Sequence, residues 1–172
     1  MDLYFGDEYR ATRDWPYAVS SGCVVFRHEE DGLKVLLLPR DSTKNNWGRD
    51  GGLKVSYHLP KGHVGFSETL LEAAERETKE EAGVDLSIKA YLGAREDAFT
   101  HPNTKIETIK TVHYFAAEWQ GGLSTKDNEH DAPIWVSVDE AVQLLGPPMP
   151  KHENEIIERL KKYIELRDAS DA

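Results

Sequence analysis

The chain has 172 residues, of which 39% are hydrophobic and 30% are charged, and its formal net charge is −10 at pH 7. This length suits one ordinary domain, so we expect a single domain over residues 1–172 with one active site. The acidic balance argues against DNA binding, which needs a basic surface. Because the longest apolar runs, such as residues 35–38, are far shorter than the roughly 20 residues of a membrane span, no bilayer crossing is expected.

Hydrophobic patterning along the chain predicts an irregular mixture of strands and helices. Runs of β-branched, aromatic or alternating residues favour strands at 18–27, 33–39, 55–60, 88–98, 108–119 and 133–138. Helical periodicity favours helices at about 69–82, at about 138–145 and at 152–167. The asparagines and glycines of 41–54 predict a long loop. This order of elements indicates an α/β sandwich with a mixed sheet rather than a regular βαβ arrangement.

The N-terminus and the cysteine content bear on location. The first ten residues carry acidic side chains early and lack the basic-then-apolar order of a secretory signal. Cys23, the one cysteine, lies in an apolar run that favours a small buried thiol. We therefore expect a reducing, cytoplasmic compartment.

Charge is unevenly distributed. Residues 33–64 contain six cations and two anions, a local charge of +4 within an acidic chain. Such a region could hold a small anionic ligand, although lysines on solvated strands and loops would produce the same balance.

The segment 59–84 predicts a strand, a tight loop, a helix and a helix stop. Glycines at 62 and 65 permit the loop after Pro60. Thr69 and Glu72 form a capping-box pattern at the start of the helix, and Gly83 stands where a left-handed residue would end it.

Three glutamates of this helix, Glu77, Glu80 and Glu81, are spaced i, i+3 and i+4. Helical geometry predicts that their carboxylates converge, and like charges at this spacing repel. A hard divalent cation with oxygen ligands would relieve the repulsion, and magnesium is the usual choice when phosphates also bind. The alternative is an ordinary solvated acidic face.

The segment 62–84 resembles the Nudix box. That motif begins with a glycine, which is followed after five variable residues by a glutamate. After seven more variable residues comes the sequence arginine-glutamate-aliphatic-any-glutamate-glutamate-any-glycine-aliphatic. A chance match at seven fixed positions is expected on the order of once in 10⁸ starting points. Thr78 departs from the aliphatic rule, but its β-branched shape is close to that of valine. The matching residues are Gly62, Glu68, Arg76, Glu77, Glu80, Glu81, Gly83 and Val84.

This resemblance implies a Nudix-type α/β/α sandwich with a central mixed sheet, and a pyrophosphohydrolase that uses Mg²⁺, or Mn²⁺ as an alternative. It implies that Glu68 and Arg76 are structural and tie the loop to the helix. The implied catalytic and metal-binding carboxylates are Glu77, Glu80 and Glu81, with the backbone at Gly62 as a further metal ligand.

Outside the box, residues 20–145 are similar to the asymmetrical diadenosine tetraphosphate hydrolases. The similarity lies in Ser21 to Arg27, in Pro60 to Val64, in Lys110-Thr111-Val112-His113-Tyr114 and in Asn128-Glu129-His130. It implies cleavage of diadenosine tetraphosphate to ATP and AMP. The residues that it assigns are Lys61, His63, Lys110 and Tyr114 for substrate binding, and Glu129 as a catalytic carboxylate outside the box.

The substrate stays open at this point because the similarity is incomplete. Gly65 stands where the family usually has an acidic residue, and the 41–54 loop has no counterpart. The alternatives are hydrolysis of an inositol pyrophosphate or of another nucleoside diphosphate derivative, and a Nudix module that binds a nucleotide without cutting it. We expect a small nucleotide as partner and favour a monomer. The candidates for stacking on a base are Trp47, Tyr57, Tyr91 and Trp135.

Overall fold

The computed structural model of the protein describes residues 8–41, 54–122, 132–149 and 151–171. The strands in this part of the chain are β1 (Tyr17–Glu29), β2 (Gly32–Asp41), β3 (Val55–His58), β4 (Lys61–His63), β5 (Asp85–Thr100), β6 (Glu107–Gly121) and β7 (Ile134–Ser137). The helices are α1 (Leu70–Ala82), α2 (Val138–Leu145) and α3 (Glu153–Asp171). Apart from Asp41 and Lys54, the predicted 41–54 loop lies outside the described residues.

The strands form one mixed sheet in the order β3-β2-β1-β6-β5, with β4 paired to β1 and β7 paired to β2. The central pair, β1 and β6, is parallel, with Gly22 opposite Tyr114. The neighbouring pairs are antiparallel. Strand β4 places Gly62 opposite Ser21 and thereby holds the glycine-containing loop against the centre of the sheet.

Each face of the sheet buries a hydrophobic layer. On one face, Val24 and Phe26 of β1 pack with residues of α2 and α3 such as Leu145 and Ile156. On the other face, Cys23 and Val25 pack with Ala74 and Ala82 of α1. Because side chains alternate along β1, one strand serves both layers. The result is the predicted α/β/α sandwich around a mixed sheet. Within the described residues, no helix is both long and apolar enough to cross a membrane.

Helix α1 has the predicted ends. The Thr69 side chain accepts a 3.1 Å hydrogen bond from the backbone N–H of Glu72, and Gly83 ends the helix with φ 66°. A side chain at Gly83 would be strained in this left-handed conformation.

The predicted strand at 55–60 is shorter than expected. It ends at His58, and residues Lys61–His63 form a separate strand on β1. Pro60 has no N–H to continue a ladder, and its carbonyl instead accepts a 3.1 Å bond from the N–H of Cys23. A Cβ at Gly22 would overlap the Pro60 carbonyl oxygen, so this close approach requires glycine. Strand β5 and strand β6 are both longer than predicted.

Candidate active site

Arg76 and Glu68 join helix α1 to the loop that precedes it. The Arg76 guanidinium donates two hydrogen bonds to the Glu68 carboxylate, at 2.6 and 2.8 Å, and a third to the carbonyl of His63 at 3.1 Å. Glu68 also accepts a 2.9 Å bond from the N–H of Gly65. The Arg76 bond holds the pKa of Glu68 below its usual value. Three hydrogen bonds from Arg76 therefore hold the loop to the helix.

The same guanidinium also holds two glutamates of the box. It donates to Glu77 at 2.8 Å and to Glu80 at 3.3 Å. Burial nevertheless raises the pKa of Glu77, against the lowering effect of Arg76 and with a further contribution from the charge of Glu80. The Glu77 carboxylate lies directly against Gly62, where a Cβ would overlap it. Glycine at position 62 is thus what lets this carboxylate reach the loop.

A cavity of about 510 Å³ opens beside this clamp, and eight of its 17 lining residues are charged. The carboxylates in its lining are Glu8, Glu77 and Glu81. The cations are Arg10, Arg40, Lys61, Lys110 and Lys151. The excess of cations over carboxylates gives a positive cavity in a chain of net charge −10, and such a cavity suits an anionic ligand.

His63 lines this cavity as a neutral imidazole. Burial, together with the positive charges of Lys110, Arg10 and Lys61, lowers its pKa to about 3. At neutral pH the ring can therefore donate one hydrogen bond and accept another without adding charge.

The cavity receives two of the three box glutamates. Glu77 and Glu81 line it together with Gly62, whereas Glu80 does not, and its side chain is 58% exposed. Helical spacing puts Glu81 on one side of Glu77 and Glu80 on the other, and Glu77 and Glu80 share the Arg76 guanidinium. The role of Glu80 as a metal ligand stays a prediction.

The residues present fit a magnesium ion of the kind that also binds phosphate. Among the described residues, no three acidic, histidine or cysteine side chains are arranged to hold one metal ion. Magnesium is commonly bound by one or two carboxylates and completed by water and substrate phosphates. The pair Glu77 and Glu81, which line the cavity together with Gly62, meets that requirement.

Of the substrate-binding residues predicted outside the box, the structure brings Lys110 to the cavity and leaves Tyr114 out of it. Tyr114 is fully buried, and its hydroxyl donates a 2.9 Å bond to Glu153. Tyr114 is therefore a core residue, and this position contradicts its predicted contact with substrate phosphate. Both residues lie on one face of β6, but that face is open at Lys110 and covered by α3 at Tyr114. Glu129 lies outside the described residues.

Glu153 is a charged core residue that the sequence analysis missed. Its carboxylate also accepts a 3.2 Å bond from the N–H of Leu59, next to the box loop. Burial works to raise its pKa, but the charges of Arg95, Lys61 and Lys151 outweigh burial and lower it. Helical periodicity in the sequence does indicate this burial. Glu153 lies three and four residues before Ile156 and Ile157, on the same buried stripe of α3.

Three of the four aromatic residues predicted to stack on a base lie outside the cavity lining. Tyr91 is bonded to His113 on the α1 face of the sheet, at 2.8 Å. Trp135 packs 4.0 Å from the Arg27 guanidinium. Neither these two nor Tyr57 lines the cavity. Trp47 lies outside the described residues. The aromatic residue that does line the cavity, among those that the structure describes, is Phe99 at the end of β5.

The sequence analysis also missed cavity residues from remote parts of the chain. Glu8 and Arg10 come from residues 8–16, here called the N-terminal strap. Lys151 precedes α3. Arg40 is buried at the end of β2 and belongs to the basic region 33–64, which was the signal for it.

Comparison of the sequence with known proteins identifies a family and several relatives. The model of the NUDIX domain matches residues 16–160. The asymmetrical bis(5'-nucleosyl)-tetraphosphatase of Rattus norvegicus is 38% identical over 134 residues, which cover 72% of this chain and 81% of the rat protein. An 8-oxo-(d)GTP phosphatase of Mycolicibacterium smegmatis is 37% identical over 92 residues, which cover 54% of this chain and 27% of that longer protein.

Solved structures of other proteins share this fold. The crystal structure of a C. elegans Ap4A hydrolase binary complex superposes with a TM-score of 0.64 over 86% of this chain and 98% of that chain, at 20% identity. At this identity the likeness concerns the fold.

Proposed function

Because the chain belongs to the NUDIX family of hydrolases, we propose that it cuts a phosphoanhydride bond of a nucleoside polyphosphate with Mg²⁺, and that it converts diadenosine tetraphosphate to ATP and AMP. The observation that carries the proposal is one cavity whose lining contains the carboxylates Glu77 and Glu81 together with Lys61 and Lys110. Phosphoryl transfer needs positioning and charge neutralisation, and this combination supplies both.

Glu77 and Glu81 would hold the magnesium ion with the backbone of Gly62, and Mn²⁺ is the alternative. Glu80 stays a predicted third ligand, which would first have to leave Arg76. When bound, the ion neutralises charge on phosphate oxygens and makes water a better nucleophile.

The cations of the cavity would bind and orient the phosphate chain. Lys61 and Lys110 enter the lining from different strands, so a linear polyphosphate can be held between them. His63, neutral and buried, would add a hydrogen bond without repelling the lysines. This arrangement fits a chain of several phosphates better than a single one, because the charges are spread along the cavity.

One of the carboxylates Glu77, Glu80, Glu81 and Glu129 is proposed to accept the proton from the attacking water. Arg76 donates to one oxygen of Glu77 at 2.8 Å and leaves the other for the magnesium ion.

The test is hydrolysis of a substrate panel in isotopically labelled water. The panel contains diadenosine tetraphosphate, an inositol pyrophosphate, ADP-ribose and 8-oxo-dGTP. We expect equal amounts of ATP and AMP, with the label in AMP. Two ADP as product, or faster cleavage of another panel member, would overturn the substrate. Binding of the nucleotide with no cleavage of any member would favour a non-catalytic module.

A further inference from the structure

The N-terminal strap lies against the box loop, although all of it but residue 16 precedes the residues matched by the family model, which begin at residue 16. The N–H of Tyr9 donates to the carbonyl of Val64 at 3.0 Å, and the N–H of Val19 donates to the carbonyl of Tyr9 at 3.0 Å. Glu8 forms an antiparallel bridge with Gly65. The strap is thus bonded both to the start of β1 and to Val64, the residue that follows β4.

Side chains of the strap point in two directions, as in any extended segment. Tyr9 packs edge-on against Phe66, with ring centroids 4.7 Å apart, and anchors the strap outside the cavity. Its neighbours Glu8 and Arg10 line the cavity. Anchoring and cavity lining are therefore carried by different residues, so that Arg10 can be changed without removing the anchor.

Arg10 is oriented by Glu8 but retains hydrogen-bonding capacity. Its Nε donates a 2.6 Å bond to the Glu8 carboxylate, with side-chain exposures of 51% and 34%. Exposed ion pairs of this kind contribute little to stability. Among the described residues, no hydrogen bond occupies the two terminal nitrogens of the Arg10 guanidinium. A planar guanidinium with free donors matches the oxygens of a phosphate.

We infer that the N-terminal strap completes the substrate site and that Arg10 binds the phosphate chain, which makes it a specificity residue for long polyphosphates. The inference rests on the proposed function for the identity of the ligand. Arg10 adds a cation beyond Lys61 and Lys110, so its contribution is greatest for substrates whose phosphate chain is long enough to reach all three.

Binding of inorganic tripolyphosphate, measured by titration calorimetry without divalent metal, tests Arg10 independently of catalysis. Arg10→Ala should weaken binding about tenfold, and Arg10→Lys should restore part of the loss, because it keeps the charge but loses the planar fork. Arg13→Ala is the matched control, since Arg13 is exposed on the same strap and outside the cavity lining. It should bind as the unmodified protein does.

Hydrolysis kinetics separate this inference from the proposed function. Arg10→Ala should raise KM for diadenosine tetraphosphate about tenfold with kcat within about twofold, and should change KM for ADP-ribose less. Unchanged binding and KM in Arg10→Ala, an equal loss in Arg13→Ala, or no tripolyphosphate binding by the unmodified protein would overturn the inference. If the unmodified protein binds tripolyphosphate through Arg10 but cleaves no panel member, the proposed function fails and the anion site stands.

Discussion

Tyr114 of β6 and Glu153 of α3 meet in the core, where the Tyr114 hydroxyl donates a 2.9 Å hydrogen bond to the Glu153 carboxylate. The carboxylate also accepts from the N–H of Leu59, and its other oxygen has no hydrogen-bond partner among the described residues. This carboxylate couples the last helix to the strand that leads into the box loop. Its position at the first turn of α3 also places it at the favourable end of the helix dipole.

Glu153→Gln should lower the free energy of unfolding by about 3 kcal/mol at pH 7, because it removes the buried countercharge of Arg95. Tyr114→Phe removes the hydrogen bond to Glu153 and the weaker 3.4 Å bond that Arg95 donates to the same hydroxyl, and should cost about 1 to 3 kcal/mol. Urea unfolding followed by circular dichroism measures both. Glu158→Gln, exposed on the same helix, is the control and should cost nothing measurable. Equal effects of Glu153→Gln and Glu158→Gln would contradict a structural role for the buried carboxylate.

The stabilisation by Glu153 should depend on pH. Because the pKa of Glu153 is lower in the folded protein than its ordinary value of 4.5, its contribution is complete above that value and disappears as the pH falls through the folded-state pKa. The difference in unfolding free energy between the unmodified protein and Glu153→Gln should therefore shrink below about pH 4.5. A difference that stays constant down to the acid transition would show that the folded-state pKa is not lowered.

Glu77→Gln and Glu81→Gln should each lower kcat by about 10²-fold or more, because both carboxylates line the cavity beside Gly62. Each variant should also need more Mg²⁺ for half-maximal activity. The control is Glu75→Gln, since Glu75 is paired with Lys79 on another face of α1. Near-normal activity of the Glu81→Gln variant at low Mg²⁺ would show that Glu81 does not bind the metal ion.

Lys110→Ala should raise KM for diadenosine tetraphosphate about tenfold and leave the melting temperature nearly unchanged, because the lysine lines the cavity and is not part of the core. Lys89→Ala, exposed on strand β5, is the matched control and should leave KM unchanged. A lower kcat with unchanged KM would instead indicate that Lys110 acts in the transition state only.

Cys23 should resist thiol reagents in the folded protein. Burial raises its pKa to about 12, so the reactive thiolate is scarce at pH 8, and its Sγ lies 3.6 Å from the carbonyl of Ala74. Incubation with a disulfide reagent should modify Cys23 rapidly in denaturant and very slowly without it. Equal rates in both conditions would show that β1 opens readily.

Much of the fold and the centre of the site depend on local features that the sequence alone determines. Thr69 and Gly83 mark the ends of α1 through their own side-chain and backbone preferences, and the spacing of Gly62, Glu68 and Arg76 predicts the loop and its helix. These features involve residues close in the chain, so propensity and periodicity are sufficient to identify them.

Only the tertiary structure decided which side chains share the cavity. Glu77 and Glu80 both bond to Arg76, but only Glu77 lines the cavity. Tyr114 is covered by α3, although strand alternation places it on the same face as Lys110. Arg10 and Lys151 come from opposite ends of the chain. Their proximity depends on strand order and helix docking, which are set by burial of apolar surface across the whole chain and leave no local pattern at either residue.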